Sequence, residues 1–210
     1  MKLNELKSKL EMLLPIADPS PSLEQYSTPV NAASAILYHA AMSGDIEGRK
    51  IADLGCGNGI FSIGCALLGA YRTIGADVSP ACIKTSKENA ARILDSALLK
   101  KVHFKKASIL EIKGRFDTVF QNPPFGSQSR NADIPFIKKA LELADVVYTI
   151  HISATRAFIE EKIAEYGGRI EFSAEFDYSM PRMFKYHTDD RRKFRLILYK
   201  AVKNNKQRDR

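Results

Sequence analysis

The run Ile51-Ala52-Asp53-Leu54-Gly55-Cys56-Gly57-Asn58-Gly59 passes from an apolar strand into three glycines at alternate positions, and the apolar stretch from Ile60 to Leu68 continues it as a helix. A strand that turns sharply into a helix through glycines opens a βαβ unit. The spacing is not the G-x-G-x-x-G of a dinucleotide site, because Ile60 stands where the third glycine would be. Glycine in each slot lets the backbone turn at positive φ and leaves room beside it for a ligand. Outward from this turn the pattern alternates. Arg49 to Leu54, Thr73 to Val78, Val102 to Lys106, Asp117 to Gln121 and Asp145 to Ile150 read as strands. Ile60 to Leu68, Pro80 to Leu94, Asp133 to Leu143 and Ala154 to Tyr166 read as helices between most of them. This order predicts an α/β, Rossmann-like sheet of seven strands, mainly parallel, with helices on both faces and right-handed crossovers. Ile170 to Phe176 and Phe194 to Val202 have no helix between them, so they are expected to pair antiparallel, joined by a long basic loop.

Before the core, Leu3, Leu6, Leu10, Leu13 and Leu14 recur at helical spacing until Pro15, Pro19 and Pro21 stop the helix. It reads as an appendage. Thr28 is expected to cap a second helix with Pro29 at its first position, running through Ala40 and ending near Gly44. One domain follows from the pattern, with N-terminal helices over residues 1–44, a core over 45–202 and a basic tail over 203–210.

The chain has 45% apolar and 27% charged residues and no apolar run near the length of roughly 18 residues that a membrane span needs. A soluble protein without a membrane partner is expected. The N-terminus alternates charge with leucine, unlike a signal peptide, and Cys56, Cys65 and Cys82 show no C-x-x-C spacing, so a reducing, cytoplasmic setting is expected. The net charge of +8 is unevenly placed, because basic and acidic side chains balance over residues 1–177 and the whole surplus lies in 178–210. There Arg182, Lys185, Arg191, Arg192, Lys193 and Arg195 are interleaved with Tyr178, Phe184, Tyr186, His187 and Phe194. Cations and aromatics together suit phosphates and stacked bases, so this segment points to RNA. The tail from Lys203 to Arg210 reads as a solvated terminus.

Asp77 ends the second strand beside the glycine turn, where a carboxylate can accept both hydroxyls of a ribose. Asp53 would repel a pyrophosphate. Two acids around a glycine turn therefore suit a nucleoside without phosphates, and S-adenosylmethionine is such a ligand. A glycine turn with no cofactor, or a nicotinamide or flavin site, are the alternatives.

Gln121-Asn122-Pro123-Pro124-Phe125-Gly126 follows the fourth strand. In a doubly wound sheet, ligands lie beyond the carboxyl ends of the strands where strand order reverses, so this motif and the glycine turn converge. Two consecutive prolines have fixed φ and no N–H, which leaves the Asn122 side chain and the Pro123 carbonyl as held acceptors. An aromatic amino group has two hydrogens and a delocalised lone pair. Accepting both hydrogens favours a pyramidal nitrogen and stabilises the positive charge that develops on methylation. Phe125 can stack on the base.

These residues together resemble the small N6-adenine methyltransferases of ribosomal RNA in archaea and eukaryotes, a class I S-adenosylmethionine-dependent group. The resemblance rests on Leu23-Glu24-Gln25-Tyr26-Ser27-Thr28-Pro29, on Asp53 to Gly59, and on Asn122-Pro123-Pro124-Phe125-Gly126, and it runs from Leu23 to about Tyr199. It implies that Gln25 and Thr28 cover the cofactor, that Asp77 holds its ribose and Val78 packs on its adenine, and that Asn122, Pro123, Pro124 and Phe125 receive the target base; Asp53, Gly55, Gly57, Asn58 and Gly59 of the turn, and Asn122, are expected to contact the cofactor as well. It also implies an RNA-contacting loop from Pro181 to Arg195 that includes Lys185-Tyr186-His187, and in eukaryotic relatives a small zinc-binding activator protein. Ser108 stands where relatives carry an Asp that bonds the cofactor's adenine, and a hydroxyl accepts less strongly than a carboxylate. Guanine-N2 methylation of RNA and glutamine methylation of protein are rival activities, the latter usually with Tyr in place of Phe125; RNA binding without turnover is the rival outside enzymology. His39, His103, His151 and His187 are scattered, so no metal site is expected, and Cys56 reads as a space-filler.

Overall fold

The computed structural model describes residues 1–16, 19–20, 24–25, 27–125, 131–181 and 191–204, with the backbone alone for 179–181 and 191–194. Its elements are α1 (Leu3–Glu11), α2 (Val30–Met42), β1 (Lys50–Leu54), α3 (Ile60–Leu67), β2 (Arg72–Asp77), α4 (Pro80–Ile93), α5 (Ser96–Leu99), β3 (Val102–Lys106), β4 (Phe116–Gln121), α6 (Ile134–Leu143), β5 (Ala144–Ile152), α7 (Arg156–Glu165), β6 (Gly168–Pro181) and β7 (Arg191–Lys203). One seven-stranded sheet has the order β3-β2-β1-β4-β5-β7-β6. β1 pairs in parallel with both β2 and β4, and β5 in parallel with β4, whereas β7 runs antiparallel between β5 and β6. This is the expected α/β class. Strand order reverses at β1, so the carboxyl ends of β1 and β4 flank the crevice where such sheets take ligands.

Successive strand residues face opposite layers. Ile51 and Phe120 join α1, α2 and α3 on one face, through Leu6, Leu10, Ile36, Leu37, Phe61 and Cys65. Ala52, Leu54 and Val119 join α6 and α7 on the other, through Ile137, Leu141, Ile159 and Ile163. β1 is buried from both sides at Ile51, Ala52 and Leu54, which explains why its sequence shows no polar alternation. α4 starts where Ser79 accepts a hydrogen bond from the Cys82 N–H and Pro80 occupies the first turn.

Three expectations are corrected. α1 is not an appendage: Leu6 and Leu10, one turn apart, are fully buried against α2. Its exit is tied to α4 by Asn89, whose side chain accepts from Leu14 N at 2.8 Å and donates to Leu14 O at 3.1 Å. The prolines that follow end the helix without detaching it. α2 begins at Val30 with Pro29 at its cap and no side-chain cap, because the Thr28 hydroxyl is committed elsewhere. The β6 and β7 strands are longer than their apolar runs, with pairing that reaches Pro181 and Arg191. β5 meets β7 only as far as Ile152 and Leu196. Beyond that point the two strands form a ribbon whose ladder needs only backbone groups, so hydropathy gives no signal for it. Arg191, Arg192 and Lys193, expected in a loop, stand on β7 opposite Pro181, Met180 and Ser179. Lys185, Tyr186 and His187 lie outside the described residues.

Among the described residues, no helix is long and apolar enough to cross a membrane, and no group of three or more His, Cys, Asp or Glu is placed to hold a metal ion. Cys56, Cys65 and Cys82 are free and buried.

Candidate active site

Gly55, Gly57 and Gly59 all have positive φ, at 72°, 54° and 86°. Side chains rarely adopt such angles, and a Cβ at Gly59 would also come within 3.1 Å of Phe104 and Ser86. The turn therefore closes tightly onto the N-terminus of α3. Gly59 caps that helix and offers no side chain, and Asp53 supplies the missing acceptor from below. Its Oδ2 accepts from Ser62 N at 2.9 Å and Ser62 Oγ at 2.7 Å. Asp53 is 1% exposed and is not on the cavity wall, so its place beneath the turn corrects its grouping with cofactor contacts. It holds the turn instead.

Burial pushes the Asp53 carboxyl up to about 7 against the lowering effect of both Ser62 bonds, with a smaller upward push from Asp77. Because the folded value exceeds the ordinary 3.8, the native state keeps a proton that the unfolded chain has lost across that interval. Stability from this group is thus fully present below 3.8 and is lost as pH rises through about 7. Asp53→Asn, neutral throughout, should remove a pH-dependent cost of about 4 kcal/mol. Urea unfolding of both proteins across this interval checks it: the wild-type stability relative to the variant should fall with rising pH.

A cavity of about 350 Å³ lies above the turn, at the ends of β1, β2 and β4. Gln25, Thr28, Gly55, Gly57, Asn58, Asp77, Val78, Ser108, Asn122 and Pro124 line it, whereas Gly59, Pro123 and Phe125 do not. Ile16, Ile109 and Phe136 add apolar wall. Asp77 accepts from Gly57 N at 3.0 Å through one oxygen and from Ser79 N at 2.9 Å through the other. The Cys82 thiol and the Val78 N–H also approach this carboxylate, which stands on the cavity wall within reach of a ligand hydroxyl. Burial raises the Asp77 carboxyl above its ordinary value, and the N–H groups of Ser79 and Gly57 pull it back. Val78 beside it is 49% exposed, an apolar surface on the rim. Asn58 is fixed by donating to Leu14 O at 3.3 Å, and Asn89 donates to Asn58 O at 2.9 Å, so the segment after α1 and α4 both brace the turn. The Ser108 hydroxyl accepts from Leu110 N at 3.3 Å and caps the 3-10 turn Ile109–Glu111. Gln25 spans the rim, donating to Cys82 Sγ at 3.3 Å and accepting from Ser20 N at 2.8 Å.

Asn122 is the most informative side chain. Its Nδ2 donates to Thr28 Oγ1 at 3.0 Å, and its Oδ1 is buried with no partner among the described residues. A buried acceptor left unpaired is costly, so its partner is expected to arrive with a ligand. Thr28 anchors one end of the amide, a bond that no local sequence signal shows because 94 residues separate the pair. Glu24 was missed too. Its Oε2 accepts from Phe125 N at 2.7 Å, its residue is 7% exposed, and its φ is 48°. It holds the backbone after the two prolines from the segment before α2. An acid inside Leu23-Glu24-Gln25-Tyr26 was the only available signal.

The methyltransferase small domain family matches residues 27–146, more than half of the chain and all of the turn, Asp77 and the Asn122 motif. The chain belongs to that family. Among relatives of this methyltransferase, the rRNA N(6)-adenosine-methyltransferase Mettl5 of Drosophila melanogaster is 35% identical, with 89% of this chain and 90% of that protein covered. Its counterpart METTL5 of Danio rerio is 33% identical, with 89% and 92% covered. A proposed RNA methyltransferase of Pyrococcus horikoshii has a crystal structure that superposes with a TM-score of 0.88 at 36% identity, covering 97% of this chain and 98% of that one. The cofactor of such a methyltransferase is S-adenosylmethionine, and the cavity fits it: a carboxylate at Asp77, an apolar rim, a glycine cradle and no cationic phosphate ligand among the lining residues.

Proposed function

We propose that this protein transfers a methyl group from S-adenosylmethionine to N6 of an unpaired adenosine in structured RNA, with small-subunit ribosomal RNA as the substrate. The observation that carries this reading is the Asn122 Oδ1, an acceptor that is buried without a partner among the described residues while Thr28 anchors the other end of the amide. Bound S-adenosylmethionine supplies an electrophilic methyl on a sulfonium. Asp77 holds its ribose, Val78 packs on its adenine, Ser108 meets the adenine edge, and Gln25 and Thr28 cover it. Asn122 Oδ1 and the Pro123 carbonyl accept the two hydrogens of the target amino group, which draws its lone pair out of the ring and favours charge development on nitrogen. Phe125 stacks on the base, which must leave its own stack to get there. The N6 lone pair would itself be the nucleophile, forming the N–CH3 bond as the S–CH3 bond breaks, with S-adenosylhomocysteine as leaving group and the amino proton lost to solvent; no enzyme nucleophile is needed, in keeping with thiols at Cys56 and Cys65 that burial pushes well up.

Lys185, Tyr186, His187, Arg191, Arg192 and Lys193 are the proposed RNA contacts. A small zinc-binding protein is the proposed activator and the cytoplasm the proposed compartment, which three buried free thiols suit. Incubation with labelled S-adenosylmethionine and ribosomal RNA, with nucleoside analysis of the product, tests the function. Label in N6-methyladenosine is expected. Label in N2-methylguanosine, or in protein glutamine alone, would replace this reading with a rival, and cofactor binding without incorporation would remove the enzymatic one.

A further inference from the structure

Behind the Asn122 turn, on the opposite face of the sheet, four side chains form a buried hydrogen-bonded line that the transfer itself does not use. Gln121 Nε2 donates to Thr149 Oγ1 at 3.0 Å. Thr149 Oγ1 lies 2.8 Å from His151 Nε2, and His151 Nδ1 lies 3.1 Å from Asp133 Oδ2. Gln121 and Thr149 are each 1% exposed, His151 0% and Asp133 8%. The line joins the end of β4 to β5 and to the cap of α6.

The direction of every bond follows from its ends. A carboxylate only accepts, so His151 carries its proton on Nδ1 and donates it to Asp133. A neutral ring then has a bare Nε2, which accepts the Thr149 hydroxyl hydrogen. The Thr149 oxygen must in turn accept, and the donor that Gln121 can offer is its amide nitrogen. Turning the Gln121 amide over would place its oxygen against Thr149, reverse the hydroxyl, and force the imidazole proton onto Nε2. Bare Nδ1 would then face the Asp133 carboxylate. Asp133 therefore dictates the orientation of an amide three hydrogen bonds away, and Gln121 Oε1 is left buried with no partner among the described residues. Burial of the ring lowers its pKa, which keeps it in the neutral form that the line requires.

Gln121 is the residue before Asn122, and a misplacement of about 1 Å can cost an enzyme about 10²-fold in rate. We propose that His151, with Asp133 and Thr149, is a positioning residue: it locks the Gln121 side chain, and through the adjoining peptide it fixes the Asn122 and Pro123 acceptors relative to the target amino group. The inference rests on the N6-adenosine reading for its kinetic consequence and on geometry alone for its tautomer.

Thr149→Val and Thr149→Ser separate positioning from packing. Valine keeps the volume and removes the hydroxyl; serine keeps the hydroxyl and loses a buried methyl. The expected result is a kcat lowered about tenfold or more in Thr149→Val, with KM for RNA and cofactor Kd within about twofold of wild type, and a kcat restored to within about threefold in Thr149→Ser despite its lower melting temperature. A packing role predicts the reverse order. A valine variant at wild-type kcat, or a serine variant no better than the valine one, would overturn the proposal. Nitrogen NMR of the wild-type histidine rings, with the His151 signal assigned by its loss in His151→Phe, reads the tautomer without any assay of activity. A neutral ring protonated on Nδ1 is expected, and one protonated on Nε2 would overturn the line whatever the enzyme methylates. Failure of the N6-adenosine reading shows separately, as wild-type protein that leaves adenosine unlabelled.

Discussion

Asn122→Ala lowers methyl transfer by about 10²-fold or more, the effect of removing one acceptor aimed at developing charge, worth about 3 kcal/mol or above. The structure sharpens this expectation, because the amide has one end tied to Thr28 and the other without a partner among the described residues. Truncation removes the free acceptor and leaves the Pro123 carbonyl alone to receive two hydrogens. Asn122 is also on the cavity wall, so cofactor affinity should shift, but by far less than kcat. Thr28→Val should give an intermediate loss, since the amide keeps its oxygen but is free to turn it away. Single-turnover kinetics with calorimetric titration of S-adenosylmethionine checks both. A rate within a factor of about two of wild type in Asn122→Ala would remove the transition-state role.

Asp77→Ala divides the effects the other way. Cofactor binding should weaken by about 1.5 to 3 kcal/mol, roughly 10- to 150-fold in Kd, the range for a hydrogen bond to a charged group. The upper part of that range is expected, because the same carboxylate holds Gly57 N and Ser79 N, and its loss frees the turn as well as the ribose. With saturating cofactor, kcat should largely return. An unchanged calorimetric titration would exclude the ribose contact, and a kcat that stays low at saturation would mean that Asp77 acts on the chemistry instead.

Both substitutions address residues that stand out in one dimension. The glycines could be read from spacing because positive φ is a local property of the backbone, and φ of 72°, 54° and 86° is what the glycines at Gly55, Gly57 and Gly59 meet. The α/β order was legible for a similar reason: parallel strands covered on both faces write themselves as short apolar runs, and the helices between them carry their own period. Asp77 and Asn122 could be placed at the ligand crevice because strand ends in such a sheet have a fixed relation to it.

What tertiary structure alone decided is where a side chain's second bond goes. Asp53 and Asp77 look equivalent in sequence, and the register of β1 on β2 puts them on the same face, yet one lies inside β1 beneath the glycine turn, bonded to Ser62, and the other ends β2 two positions further along and stands on the cavity wall. Glu24 on Phe125, Thr28 on Asn122 and Asn89 on Leu14 join residues 101, 94 and 75 positions apart. His151, one of four scattered histidines, acquires a direction and a tautomer only when Asp133 and Thr149 are set on either side of it. Local pattern fixes backbone conformation because propensity and periodicity act over a few residues. The partner of a buried polar group is chosen by the rule that it must have one, and that rule operates in space, after the chain has folded.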